Sequence, residues 1–300
     1  MQNPDVLKLL FIINPISGGK EKKDWEQAIR NYFKDKPHVT EFYILTGKED
    51  KRSIQHYMDL IKPDRAVAVG GDGTVKMVTE LVKETTISLG ILPAGSANGM
   101  AKELEIPSEI EAALDIIVSG ENKKIDLIKI NEEHICIHLS DLGLNAMLVR
   151  YFEESTKRGM WGYGKAIFRV LWEKRKMRVT IQTDSETIKR KAYMVALANA
   201  RKYGTGANIN PEGDVADGKF EVVVVRKINV LEIIKAIFTD RSFHPRRIEV
   251  FSTTSLRLSL HRSTYFQVDG EYLGKVSKVE ARILPRVLNV MMPRKKEVLA

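Results

Sequence analysis

Apolar residues in the first third of the chain fall into short, dense runs, each followed by a longer stretch with helical spacing. The runs are Val6 to Ile13, Val39 to Leu45, Ala66 to Val69 and Ile87 to Leu92. Between and after them, Lys22 to Phe33, Asp50 to Ile61, Val75 to Lys83, Met100 to Leu104 and Ser108 to Val118 read as helices, the last with Ser108 and Glu111 spaced as a capping box. A strand with apolar residues on both faces belongs inside a parallel sheet, and strand alternating with helix predicts a doubly wound α/β domain.

From about Lys124 the texture changes. Ile125 to Ile130, His134 to Leu139, Met177 to Thr183, Lys191 to Leu197, Phe220 to Val225, Ile248 to Phe251, Ser255 to Leu260, Tyr265 to Val268 and Ser277 to Ile283 are short and rich in β-branched residues. Many short strands predict a sandwich or barrel, interrupted by one helix over about Gly162 to Lys176. The expected plan is an α/β nucleotide-binding domain over 1–124 and a β-sandwich-like domain over 125–284. A last strand, Val287 to Met292, is expected to bring 285–300 back to the first domain.

Composition narrows the classes. A formal charge of +9 suits nucleic acid, anionic membranes or anionic metabolites. Neither zinc-ligand spacing nor an RNA-recognition signature accompanies it, so nucleic acid is not expected. The lone Cys136 excludes an intrachain disulfide framework and suits a reducing compartment. With no signal-peptide pattern and no run near the roughly 20 apolar residues that span a bilayer, a cytoplasmic protein is expected.

The candidate chemistry sits where the buried runs end. Ala66 to Val69 leads into Gly70-Gly71-Asp72-Gly73-Thr74. Ligands of parallel sheets bind beyond the carboxyl ends of the strands. Gly70, Gly71 and Gly73 can take positive φ and let N–H groups converge on an anion, toward which the next helix aims its dipole. An ordinary tight turn with an Asp cap is the bland alternative, and three glycines around one acid argue against it. Asn14-Pro15-Ile16-Ser17-Gly18 follows the first strand, and Lys20 lacks Walker A spacing. Pro93-Ala94-Gly95-Ser96-Ala97-Asn98 follows the fourth.

Together these three stretches resemble the diacylglycerol kinase catalytic-domain family, which includes sphingosine, ceramide and bacterial lipid kinases. Ser140 to Ala146, Pro211 to Phe220 and Val268-Asp269-Gly270-Glu271 fall where that family has similar stretches. The resemblance implies a phosphofructokinase/NAD-kinase-like nucleotide domain, then a β-sandwich that holds lipid. It implies an ATP-dependent kinase acting on a hydroxyl of a diacylglycerol-like or sphingoid lipid. An NAD kinase-like enzyme or a non-catalytic nucleotide- or lipid-binding regulator of the same fold are the alternatives.

By position, the resemblance assigns ATP contacts to Asn14, Pro15, Ile16, Ser17, Gly18, Thr46, Gly70, Gly71, Asp72, Gly73, Thr74, Gly95, Ser96 and Asn98. It places the general base at Asp269 with Glu271 beside it, because a lipid hydroxyl must lose a proton as it attacks the γ-phosphoryl. In a strand the two acids would share a face; a type I′ hairpin turn at Asp269-Gly270 is the structural alternative. Sphingosine kinases instead place the base at the position of Asp72, taken here as the organiser of nucleotide and Mg²⁺. A structural Mg²⁺ is implied at Asp217, with Asp214 and the main chain at Lys219. Lys76, Met77 and Gly99 depart from the usual pattern, which keeps the non-catalytic alternative open.

A lipid kinase works at a bilayer surface, so peripheral membrane contact is expected, and a homodimer is left open. Tyr151 to Arg178 interleaves aromatic residues (Trp161, Tyr163, Phe168, Trp172) with cations, as an interfacial segment would. A domain-linking helix that buries Phe168 and Trp172 is the competing account.

Overall fold

The computed structural model describes residues 6–17, 24–153, 169–170, 172–173, 175–199, 202–203, 207–208, 214–227 and 248–294. The chain divides into two compact units, Met1–Ile125 with Arg286–Ala300, and Asp126–Pro285.

The first unit is built on a parallel sheet. Strands β1 (Lys8–Ile13), β2 (Val39–Ile44), β3 (Arg65–Gly70) and β4 (Ser88–Pro93) lie in the order β4-β3-β1-β2. Beside β4 runs the end of β16 (Glu271–Met292), with Val290 opposite Leu89 in parallel. Leu10, Phe11, Ile12 and Ala66 to Val69 are wholly buried. That two-sided burial explains the unbroken apolar runs.

Helices α1 (Trp25–Phe33), α2 (Asp50–Ile61), α3 (Asp72–Val82), α4 (Gly99–Glu103) and α5 (Ile110–Ser119) follow the strands. Two expectations fail locally. Helix α3 begins at Asp72 rather than Val75, so only Gly71 separates it from β3. The capping box at Ser108 does not form: the N-cap of α5 is Glu109, in extended backbone, without a side-chain cap.

The second unit is an antiparallel assembly. β7 (Leu139–Gly143), β10 (Met194–Ala198), β13 (Phe220–Val225), β14 (Ile248–Thr253) and β15 (Ser255–Val268) pair in the order β14-β13-β10-β7-β15, and β15 continues to β16. β8 (Met177–Thr183) joins β15 and β9 (Thr187–Ala192), while β5 (Glu121–Ile130) pairs β6 (His134–Cys136). The short β11 (Lys202–Tyr203) and β12 (Ala207–Asn208) pair with each other. Phe220, Phe266, Val222, Leu258 and Ile181 centre its core.

The helix expected over 162–176 lies mostly outside the described residues. A helix not expected, α6 (Leu144–Glu153), follows β7 and packs Leu144, Met147 and Tyr151 inward. The run expected as one strand over His134 to Leu139 breaks into β6 and β7 at residues 137 and 138. The two runs expected over 255–268 join into one strand whose register shifts between Ser259 and Thr264 and between Tyr265 and Gln267.

Candidate active site

In the first unit, three strand ends meet through their loops. The N–H of Asn14 donates to Val69 O at 2.9 Å, Asn14 Nδ2 donates to Thr74 Oγ1 at 3.3 Å, and the Ala94 N–H donates to Gly70 O at 2.9 Å. Asn14 Oδ1 also takes the Ile16 N–H at 3.1 Å and so shapes the turn after β1, in which Ile16 is 82% exposed. Gly18 lies outside the described residues.

The glycines serve close approach, not positive φ. Gly71 caps α3 at φ −93°, ψ −169°, and none of Gly70, Gly71 and Gly73 has positive φ. A Cβ on Gly70 would sit 2.2 Å from Thr74 Oγ1, and one on Gly95 would sit 2.5 Å from the Gly71 Cα and 2.8 Å from Asn98 Oδ1. The two glycine loops therefore touch backbone to backbone. At Gly73 nothing lies within 4 Å, so the first turn of α3 opens onto space there.

Helix α3 has no side-chain N-cap. The Thr74 and Val75 N–H groups bond back to Gly71 O, while those of Asp72 and Gly73 belong to the first turn, whose donors lack partners within the helix. With the dipole behind them, such N–H groups suit phosphate oxygens. Asp72, half-buried, accepts the Met100 N–H at 3.2 Å and ties α3 to α4. Asn98, at φ 49°, braces its own loop through Gly95 N–H to Oδ1 (2.9 Å) and Nδ2 to Gly95 O (2.8 Å); Ser96 is exposed beside it.

Thr46 is also exposed, and it is fixed by a residue not anticipated from sequence. Buried Asp50 accepts from the Thr46 N–H (2.9 Å), Thr46 Oγ1 (2.9 Å), the Gly47 N–H (2.7 Å) and Tyr43 OH (3.1 Å). Burial would raise the Asp50 carboxyl, but these donors outweigh it and hold the group below the usual carboxylate range.

In the second unit, Asp269 and Gly270 form the two-residue turn between β15 and β16. Their φ values are 50° and 83°, and Val268 pairs with Glu271. Positive φ at both centres is a type I′ turn. The expectation that Asp269 and Glu271 share a strand face is thereby corrected: Asp269 lies in the turn and Glu271 opens the next strand.

The Asp269 carboxylate accepts three consecutive N–H groups, Ile137 at 2.9 Å, His138 at 2.9 Å and Leu139 at 3.1 Å, with Cys136 Sγ at 3.5 Å. Those amides are available because the chain breaks there between β6 and β7. Asn199, buried, bonds the same break through its N–H to His138 O (3.0 Å) and through Nδ2 to Ile137 O (3.2 Å) and Asp126 O (2.6 Å).

Two further buried acids were not singled out from sequence. Asp126 Oδ2 accepts the Gly218 N–H at 2.7 Å, and its own N–H donates to Val215 O at 2.7 Å, which sets the turn carrying Asp214 and Asp217. In that turn Asp214 accepts the Ala216 N–H (3.1 Å) and Asp217 accepts the Lys219 N–H (2.9 Å). Asp141 accepts from Asn145 Nδ2 (2.6 Å), the Ala146 N–H (2.8 Å) and Gln267 Nε2. Burial pushes Asp141 up to about 6, against the pull of these donors. Only its place at the head of the Asp-Leu-Gly-Leu-Asn run, residues 141–145, marked the region.

Two family models match the chain. Residues 8–130 match the diacylglycerol kinase catalytic domain, and residues 141–292 match the YegS C-terminal NAD kinase beta sandwich-like domain. The chain belongs to the diacylglycerol kinase catalytic-domain family. A protein named diacylglycerol kinase from Staphylococcus saprophyticus is 26% identical over 254 residues, 81% of this chain and 80% of that one. A protein named probable lipid kinase YegS-like from Yersinia enterocolitica is 26% identical over 97% of this chain and 98% of its own. A diacylglycerol kinase crystal structure from Bacillus anthracis shares the fold, with TM-score 0.73 and 17% identity over 97% of this chain and 98% of that one. Family membership accounts for the α/β unit followed by the antiparallel unit. Among the described residues no helix is long and apolar enough to cross a membrane.

Proposed function

We propose that the chain transfers the γ-phosphoryl group of ATP to a hydroxyl of a diacylglycerol-like or sphingoid lipid. The observation that carries this is the first turn of α3, uncapped by any side chain and opened by Gly73, on a loop braced glycine against glycine. Its N–H groups bind the nucleotide phosphates, with Asn14, Pro15, Ile16, Ser17, Thr46, Thr74, Gly95, Ser96 and Asn98 around the same loops. Asp72 orients the nucleotide and its Mg²⁺.

On the acceptor side, Asp269 takes the hydroxyl proton and Glu271 lies two residues on. The three N–H groups on Asp269 hold its carboxylate in one orientation, which is what a positioned base needs. A cleft of about 940 Å³ opens beside the hairpin that carries it, lined by Leu144, Met147, Tyr193 and Tyr265 with Arg262 and Lys275. Its lining is more polar than apolar, with Arg175, Lys176 and Arg178 adding further cations, which suits the polar or anionic end of a lipid whose chain lies along the few apolar and aromatic walls. Trp172, 82% exposed at the same cleft, suits peripheral contact with a bilayer, as does the cationic character of the chain.

The residues present also fit a structural Mg²⁺ at Asp214 and Asp217. Among the described residues no three acidic, histidine or cysteine side chains cluster to hold a metal alone. Two exposed carboxylates on one turn nevertheless suit an ion that keeps much of its water and takes one or two carboxylates, with main-chain oxygen near Lys219 completing the set. There it would stiffen the turn.

The test is phosphate transfer from labelled ATP to a panel of diacylglycerol, monoacylglycerol, sphingosine, ceramide and NAD in mixed micelles. Labelled lipid is expected. Label on NAD alone, or none at all while ATP still binds, would refute the proposal.

A further inference from the structure

The turn that presents Asp269 is held from within as well as by the 137–139 break. The Gly270 N–H donates to Gln267 Oε1 at 2.7 Å, and Gln267 Nε2 donates to Asp141 Oδ2. Gln267 is 1% exposed and Asp141 is wholly buried. Ser140 Oγ donates to Gln267 O at 2.8 Å, and the Asp269 N–H donates to Leu139 O at 2.8 Å. A run of residues in β7 thus holds both sides of a turn more than a hundred positions away in sequence.

The polarity of this chain of bonds has one consistent direction. Gly270 N–H can only donate, so the amide of Gln267 must turn its oxygen to the turn and its nitrogen inward. The inner partner must then accept, and at position 141 both oxygens do: Oδ1 takes the Ala146 N–H while Oδ2 takes Asn145 Nδ2 and Gln267 Nε2. An ionised carboxylate supplies two accepting oxygens; an amide or a hydroxyl supplies one. We infer that Asp141 is a positioning residue for the Asp269–Glu271 turn, acting through Gln267, whose amide orientation it sets. The inference rests on the proposed role of Asp269.

Asp141 also serves as a cap for α6 through the Ala146 N–H, and that could be its whole purpose. A cap, however, needs one acceptor oxygen, which Ser, Thr or Asn supplies equally well. The second oxygen, shared by Asn145 and Gln267, is what capping does not require. Asp141→Asn separates the two roles. It keeps Oδ1 for Ala146 and sets an NH₂ group against Gln267 Nε2. The amide of Gln267 can then turn over only by presenting nitrogen to the Gly270 N–H.

The experiment compares Asp141→Asn, Asp269→Asn and the double variant Asp141→Asn/Gln267→Glu. In the double variant the new glutamate accepts from both Gly270 and Asn at 141, so the polarity is restored with its direction reversed. Asp141→Asn is expected to lower kcat for lipid phosphorylation about tenfold with KM for ATP unchanged, since small displacements of a reacting group are costly. The melting temperature should not fall, and Gly270 N–H exchange should accelerate. The double variant should recover kcat and exchange protection.

Wild-type kcat and exchange in Asp141→Asn would overturn the inference, as would a loss that the double variant does not recover. Should Asp141→Asn fail to fold, Gln267→Met leaves the α6 cap intact and must show the same loss; wild-type kcat in that variant would equally overturn it. If Asp269→Asn keeps full activity, the role of Asp269 is wrong. The Gly270 exchange rates still decide the inference about Asp141.

Discussion

The two units prepare their candidate residues by opposite means. In the first, the proposed role falls to main chain: strands end, glycines let two loops touch, and the first turn of α3 offers N–H groups with no side chain competing for them. In the second, the proposed role falls to one side chain, and other polar groups bear the cost of holding it. Asp269 takes three N–H groups from a broken strand, and Asp141 and Gln267 brace its turn. The contrast matches the chemistry proposed for each. Polyphosphate needs many weak donors in a fixed array, whereas a proton needs one acceptor at one place.

The sharpest way to break this comparison is Gly95→Ala. Its new Cβ would meet the Gly71 Cα at 2.5 Å, a backbone clash that neither loop can relieve by a rotamer change. Loss of measurable ATP binding by calorimetry and roughly 3 kcal/mol less stability in urea are expected, the upper range for overpacking. Gly73→Ala is the matched control. With nothing within 4 Å, it should leave the fold intact and add roughly 0.5–1 kcal/mol of helix stability.

Asp72→Asn comes next. It retains an oxygen for the Met100 N–H but removes a charge beside the nucleotide, so the Kd for ATP with Mg²⁺ should rise about tenfold, an ordinary cost for one charged contact. Unchanged Kd with lost transfer would instead move the base to Asp72.

For Asp141 the sign of the pH effect follows from burial. Its folded value of about 6 lies above the ordinary 3.8, so the fold favours the protonated form. The stability this confers is complete below pH 3.8 and is lost as pH rises through 6, in all about 3 kcal/mol for a shift of about two units. The groups facing Asp141 are Asn145 and the Ala146 N–H from α6 and Gln267 from β15, none of them titratable. Urea titrations at pH 4 and pH 7.5 should therefore show a wild-type decline that Asp141→Asn reduces by that amount. Activity should move the other way, falling in wild type below pH 6 as Asp141 loses its purely accepting form.

The smallest effect belongs to Asp217→Asn. It should raise the Mg²⁺ concentration needed for half-maximal transfer only a few-fold, because such an ion keeps much of its water. Identical Mg²⁺ titrations would remove that site.

What could be read from sequence divides along the same line. Parallel strands announce themselves because both faces are buried, and α2, β8 and β13 have the limits their patterns predict. The glycine loops were visible because only glycine permits their contact, although the reason is proximity rather than positive φ. The second unit was harder. Its strand break at 137–138 is bonded to Asp269, about 130 positions away, and no local pattern records that. Asp126 and Asp141 carried no local signal of their bonds because their partners, Gly218 and Gln267, are also remote in sequence. Helix α6 escaped because its start after Gly143 read as a continuing motif, though Leu144, Met147, Leu148 and Tyr151 have helical spacing.

The most direct test of the account is Asp269→Asn, with ATP affinity and lipid phosphorylation measured on the same preparation. Asparagine tolerates the left-handed backbone found there at φ 50° and keeps one acceptor for the 137–139 amides. The predicted result is an unchanged Kd for ATP with transfer reduced at least about a hundredfold, the scale of a lost general base. Transfer within a few-fold of wild type would contradict the division of labour between backbone in the first unit and carboxylate in the second.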